Sequence, residues 1–242
     1  MKAIILAAGR GSRMKEMTEN QPKCLTEVRG QSLLHWQLAA LREAGIHDIA
    51  VVTGYQREKL ADTKLFEFHN PRWMETNMVY SLACAQEWLQ SGPCIVSYSD
   101  IFYDSKAVRS LIECSAPLAI TYDPDWLRLW TKRFGNPLLD AETFRLNADG
   151  SLAEIGQKPK SVQEIEGQYM GLLRIEPKGW QEMEQVRANY AATERDKLDM
   201  TSTLNKVISA HVISIAAVPY RGEWGEIDSS IDLAVYQPVS SE

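Results

Sequence analysis

No stretch of the 242-residue sequence approaches the roughly 18 consecutive apolar residues that a membrane-crossing helix needs. The chain opens directly on a strand-like run, without a charged region, apolar segment and cleavage site in series, so no secretory leader and no membrane are expected. A basic surplus is missing as well. With 26 Lys and Arg against 32 Asp and Glu, the net charge is −6, which argues against a nucleic-acid partner. A nucleotide is a different matter, because a few basic side chains make a local positive site inside an acidic protein. Cysteine is sparse: Cys24, Cys84, Cys94 and Cys114 are too far apart for a disulfide framework or for paired metal ligands. Cys84, Cys94 and Cys114 lie in apolar surroundings as small core residues, and reduced thiols lead us to expect a cytoplasmic protein. Internal repeats, low-complexity runs and coiled-coil heptads are absent too.

What is present is ordinary for a globular chain: 45% hydrophobic and 24% charged residues. The length suits one α/β domain over residues 1–242, since domains commonly hold about 100–200 residues and α/β units run longer. The pattern alternates. Continuous apolar runs at Lys2–Ala8, Asp48–Thr53, Lys64–His69, Pro93–Tyr98, Pro117–Tyr122, Gly167–Ile175 and Val212–Val218 predict strands buried on both faces. Helical spacing predicts helices over Gln31–Glu43, Asn77–Leu89, Lys106–Cys114, Trp180–Tyr190, Met200–Ala210 (with Thr201 and Ser202 as caps) and Ser230–Tyr236. This rhythm predicts a doubly wound, mostly parallel α/β sheet with right-handed crossovers. Between about 123 and 170 the rhythm changes, and Phe144–Ile155 reads as a β-hairpin around Asn147–Gly150, a small insertion over the ligand edge.

The first strand runs straight into Gly9-Arg10-Gly11-Ser12-Arg13. Glycines at 9 and 11 let backbone N–H groups turn around an anion, while Arg10, Arg13 and Lys23 supply charge-assisted contacts to phosphate oxygens. A solvated turn with its arginines in water is the plainer alternative. Arg13 is followed by Met14, so this is not a Walker A loop, and a dinucleotide fingerprint would need a third glycine. Farther on, Asp100 closes a buried strand at the same sheet edge, where a carboxylate suits Mg²⁺. Asn77 and Ser81 open a helix with an amide and a hydroxyl; an N-cap by Asn77 or Thr76 would need no ligand.

Leu6-Ala7-Ala8-Gly9-Arg10-Gly11-Ser12-Arg13, followed by Pro22-Lys23-Cys24-Leu25, resembles the signature of the sugar-phosphate nucleotidyltransferase superfamily, and within it the phosphocholine-type cytidylyltransferases. The resemblance implies a nucleotide site at Ala8, Gly9, Arg10, Gly11, Ser12, Arg13, Lys23, Asn77, Ser81 and Lys158. It implies catalytic roles for Lys23, Arg13, Asp100 and Asp228, and Mg²⁺ held by Asp100 and Asp228. Trp224-Gly225-Glu226-Ile227-Asp228 is similar to the family's second metal-bearing motif; a helix cap is the alternative for Asp228. The implied reaction transfers CMP from CTP, or a nucleotidyl group from another NTP, to a small amine-bearing phosphate or phosphonate. Tyr122, Trp130, Tyr169, Gly171 and Glu226 would form the acceptor site, with Trp126, Trp224 and Asp123 as further aromatic and acidic candidates. A hexose-1-phosphate nucleotidyltransferase and a non-catalytic nucleotide-binding regulatory module are the two rivals. A homodimer is left open.

Overall fold

The computed structural model describes residues 1–236. Its centre is a seven-stranded sheet that opens on β1 (Lys2–Ala7). A short antiparallel ribbon, β2 (Glu27–Val28) and β3 (Gln31–Ser32), follows the basic loop, and α1 (Leu33–Glu43) leads to β4 (Asp48–Thr53). After β5 (Phe66–His69) come α2 (Met78–Ala83), α3 (Gln86–Ser91), β6 (Cys94–Tyr98), β7 (Ile101–Tyr103), α4 (Ser105–Glu113) and β8 (Leu118–Asp123). The chain then forms α5 (Trp126–Phe134) and the hairpin β9 (Phe144–Leu146) and β10 (Leu152–Ile155) before re-entering the sheet as β11 (Gln168–Ile175). Three helices, α6 (Pro177–Ala188), α7 (Ala192–Arg195) and α8 (Met200–Ala210), precede β12 (Ala216–Pro219), β13 (Trp224–Glu226) and α9 (Ser230–Tyr236).

Strand order is β12-β8-β11-β6-β1-β4-β5, parallel throughout except for β11, which runs antiparallel to both neighbours. This is the mostly parallel α/β sheet that the alternating pattern predicts. β1, an interior strand, is apolar on both faces because helices cover both: Ala3, Ile4 and Ile5 are essentially inaccessible. Parallel order sends the carboxyl ends of β1 and β6 to one edge, and with them the basic loop and Asp100.

Local chemistry shifts several element boundaries. Ser32 caps α1 by accepting from His35 N, so that helix starts at Leu33. Lys64 adopts a left-handed conformation (φ 55°), which delays β5 to Phe66. The segment expected as one helix after Asn77 is two, α2 and α3, broken at Cys84 and Ala85. His211 turns left-handed at the end of α8 (φ 54°), and β12 begins only at Ala216. Neither Thr201 nor Ser202 caps α8; Asp199 does, its carboxylate accepting from Ser202 N at 2.7 Å. The hairpin turns at Asn147–Gly150, with Asn147 N donating to Ser151 O. No helix among the described residues is long and apolar enough to cross a membrane.

Candidate active site

The loop after β1 tightens into a 3-10 turn, Ser12–Thr18, and Pro22 leads into a second, Lys23–Leu25. Gly11 has φ +67°, and a Cβ there would meet the Lys23 side chain at 2.9 Å, so glycine is what lets the lysine stem pass across the loop. Gly9 has neither constraint: open space surrounds its Cβ position. Lys23 is buried, and its Nζ donates to Asp100 Oδ2 at 2.8 Å and to Asp228 Oδ1 at 2.6 Å. Burial alone would lower the Lys23 pKa, but the two carboxylates outweigh it and hold the ammonium well above its ordinary value. Burial likewise pushes Asp228 up, yet Lys23 and then Arg13 bring it below the usual carboxylate range.

Asp228 follows β13, which is pinned to β7 in antiparallel register, Glu226 opposite Ile101; Ile227 N donates to Asp100 O. That pairing brings residues 100 and 228 to one place. Asp228 does not cap α9. Its own N–H and that of Ser229 are received by Asp232, leaving its carboxylate to Lys23 and to Arg13, whose Nη2 lies 2.9 Å away. Glu226 joins the group: Asp100, Glu226 and Asp228 each offer a carboxylate oxygen, all within 4.8 Å of one another. Burial, and after it the neighbouring Asp228 charge, pushes Glu226 up to about 8. Asp100 Oδ1 is buried without a hydrogen-bond partner. Three gathered acids and an orphaned carboxylate oxygen form an all-oxygen donor set that fits a hard divalent cation.

Behind this cluster stands Arg133 of α5, with a fully inaccessible side chain. Its Nη1 donates to Glu226 Oε2 and its Nε to Asp232 Oδ1, both at 2.8 Å, and Nη2 lies 3.7 Å from Asp228 Oδ2. The guanidinium also packs over the rings of Trp130 and Phe134. Arg133 and Asp232 went unnoticed in the sequence because their partners are about a hundred residues away or hidden within a helix.

Two cavities of about 300 Å³ each meet at the acid cluster, sharing Arg13, Met78 and Tyr98. One is lined by Ala8, Gly9, Gly11, Ser12, Arg13, Lys23, Asn77, Ser81 and Asp100, together with Trp73. Asn77 caps α2, accepting from Met78 N as the cap reading expects, its Nδ2 donates to Lys197 O, and the residue also lines this cavity. Ser81 is held by Asn70 Nδ2. Arg10 does not join them: it is exposed, with its guanidinium over the Tyr55 ring. Lys158 is also exposed and lines neither cavity. The chain just before it is tied down by Gln157 N donating to Thr143 Oγ1.

The second cavity is lined by Trp130, Tyr169, Gly171, Glu226 and Asp228, and by three acids not singled out in the sequence, Asp140, Glu142 and Asp199. Burial and the nearby Asp199 charge raise Glu142, and burial raises Asp140. Gly171 has φ +79° and brings β11 against the Tyr98 ring, where a Cβ would sit 2.9 Å away. Tyr122 is not part of the lining. It is buried and stacked on Phe144 (centroids 4.9 Å, 29°), so it supports the wall from behind. Trp126 is buried in the core, while Trp224 donates to Asp123 Oδ2 at 3.0 Å, away from this cavity. Asp199 carried a legible signal, a helix cap before Met200; Asp140 and Glu142 lie in an irregular stretch that carried none.

Residues 3–165 match the family described as the MobA-like NTP transferase domain. The chain therefore belongs to the MobA-like NTP transferases, a branch of the nucleotidyltransferases. It is 38% identical to the CTP:phosphoglutamine cytidylyltransferase of Campylobacter jejuni, across 97% of this chain and 98% of that one. The choline-phosphate cytidylyltransferase of Streptococcus pneumoniae is 38% identical over a shorter match, 42% of this chain and 46% of its own. Among solved structures, the inositol-1-phosphate CTP transferase from T. maritima superposes with a TM-score of 0.77 at 18% identity, covering 97% of this chain and 93% of that one. The CTP:phosphocholine cytidylyltransferase of Streptococcus pneumoniae gives 0.70 at 20% identity, covering 97% and 96%. At those identities the structural likeness speaks for the fold.

Proposed function

We propose that this nucleotidyltransferase moves CMP from CTP to a small phosphate or phosphonate monoester that carries an amine, releasing pyrophosphate. The observation that carries the reading is the meeting of two cavities at one cluster of acids and Lys23: one is lined by a glycine loop and basic side chains, the other by acids and aromatics. A phosphorylated amine matches the second cavity because Glu142, Asp199 and Asp140 offer negative charge to an ammonium, and Trp130 and Tyr169 are among its aromatic lining residues. The relatives whose names specify CTP and a phosphorylated amine or amino acid point the same way.

An acceptor phosphate oxygen would attack the α-phosphorus of CTP as the bond to the bridging oxygen breaks and its electron pair leaves with pyrophosphate. The attacking group is already anionic, so alignment and charge neutralisation matter more than a strong base. Backbone N–H groups of the Gly9–Ser12 turn, with Arg13, would bind the leaving phosphates, and Lys23 would meet charge gathering at the α-phosphate. Asp100, Asp228 and Glu226 would hold Mg²⁺, which when bound supplies Lewis-acid polarisation of phosphoryl oxygens.

The test is a matrix of nucleoside triphosphates against phosphorylated acceptors, read by pyrophosphate release with Mg²⁺ present. CTP with an amine-bearing phosphate should lead. Preference for a hexose 1-phosphate would move the reading to that class of transferase, and silence across the panel would favour a regulatory nucleotide-binding module.

A further inference from the structure

Trp73 stands in a loop that is set before any ligand arrives. Asn70, fully buried, donates its N–H to Thr53 O and its amide to Thr76 Oγ1 and Ser81 Oγ, and it accepts from Arg72 N at 2.9 Å. Arg72 is paired with Asp196 at 2.9 Å, and Asn77 N donates to Asp196 O at 2.8 Å. Both ends of the loop are thus tied to the sheet or to the α7 segment.

The indole itself is seated from two sides. Gly54 lies beneath it: a Cβ there would fall 2.7 Å from Trp73 Cβ and 2.6 Å from Ala8 O, so no other residue leaves room. The Tyr55 ring meets Trp73 edge-on at 5.3 Å and 63°, and Tyr55 is fixed in turn by N–H to Ala8 O and hydroxyl to Glu19 O. Despite this support Trp73 is only half-buried, and it lines the cavity that holds the glycine loop and Lys23. The aromatic residues of that lining are Trp73 and Tyr98, and Tyr98 also faces the acceptor cavity.

We propose that Trp73 is the aromatic wall against which the base of the incoming nucleoside triphosphate packs. The inference rests on the proposed nucleotide site. With the phosphates at Gly9–Ser12 and Lys23, the base must lie a ribose away within the same cavity, and a preorganised indole gains ring contact there at little ordering cost. Ring contact accepts any base, so Trp73 governs how tightly a nucleotide binds rather than which one.

The experiment compares wild type, Trp73→Leu and Trp73→Phe by CTP titration of intrinsic tryptophan fluorescence and by steady-state kinetics. CTP should quench the wild type. Trp73→Phe should lose most of that quench while keeping KM for CTP within about threefold, and Trp73→Leu should raise KM about tenfold more than it changes kcat. A quench unchanged in Trp73→Phe overturns the inference even if Trp73→Leu does not fold. A KM for Trp73→Leu equal to wild type overturns it too, leaving the nucleotide site intact. Failure of CTP to bind wild-type protein, read by calorimetry, would instead remove the nucleotide site and this inference with it.

Discussion

Lys23 Nζ lies 2.6 Å from Asp228 Oδ1 and 2.8 Å from Asp100 Oδ2, so one buried ammonium joins three distant parts of the chain at the junction of the two cavities. An ammonium and a divalent cation cannot share that position. If Asp100 and Asp228 hold the metal as proposed, Lys23 competes with it for them in the nucleotide-free protein. We expect Lys23→Met to bind Mn²⁺ more tightly than wild type in the absence of nucleotide, by about tenfold, since the loss of one close positive charge is worth over a kcal/mol here. Electron paramagnetic resonance of free Mn²⁺ reads this directly, and a Mn²⁺ affinity equal to or below wild type contradicts it.

The same lysine is expected to act on the reaction. Lys23→Ala should lower kcat by about a hundredfold or more, the scale for losing a preorganised charge stabiliser, with a much smaller change in CTP affinity. Gly11→Ala should reproduce part of the kcat loss without touching a charge, because its Cβ would displace the Lys23 stem at a backbone position (φ +67°) that disfavours alanine. Equal kcat in Gly11→Ala and wild type would separate the loop from the lysine.

Arg133 ties Glu226 to Asp232 with no exposed side-chain surface. Arg133→Met strands a buried acid pair, so we expect about 3–5 kcal/mol of lost stability, a Tm drop of roughly 10 °C or more. Denaturant unfolding checks the figure. A loss below about 1 kcal/mol would mean the pair behaves like an exposed one.

Burial pushes the Cys24 thiol up to about 12 and the Cys94 thiol up to about 11, against about 8.5 in an unfolded chain. The folded protein thus keeps these protons longer. Their stabilisation is fully present below about pH 8.5 and is lost as pH rises through the folded values. Calorimetry should show Tm falling above about pH 9, less steeply in Cys24→Ala than in wild type; parallel slopes would contradict the assignment.

Much of the fold was legible because parallel strands buried on both faces write themselves as continuous apolar runs. β1, β4 and β6 show this, while the antiparallel hairpin was legible for another reason, the polar turn chemistry of Asn147–Gly150. Boundaries moved where a single backbone angle decided them, as at Lys64 and His211. In the site, the glycine loop, Lys23, Asp100 and Asp228 could be read from local motifs and from the resemblance they carry. Arg133, Trp73, Asp140 and Glu142 could not, since each gains its place from tertiary packing that no spacing encodes. Tyr122 shows the converse: an aromatic in a plausible position that Phe144 covers.

The central claim is nucleotidyl transfer at the point where the two cavities meet. Phosphorus NMR of wild-type protein with CTP, Mg²⁺ and an amine-bearing phosphate tests it most directly. The account predicts a new diphosphate diester appearing in step with pyrophosphate, and neither signal in Asp100→Asn or Asp228→Asn. Conversion of CTP to free CMP or CDP without a diester, or full turnover in either variant, would contradict it.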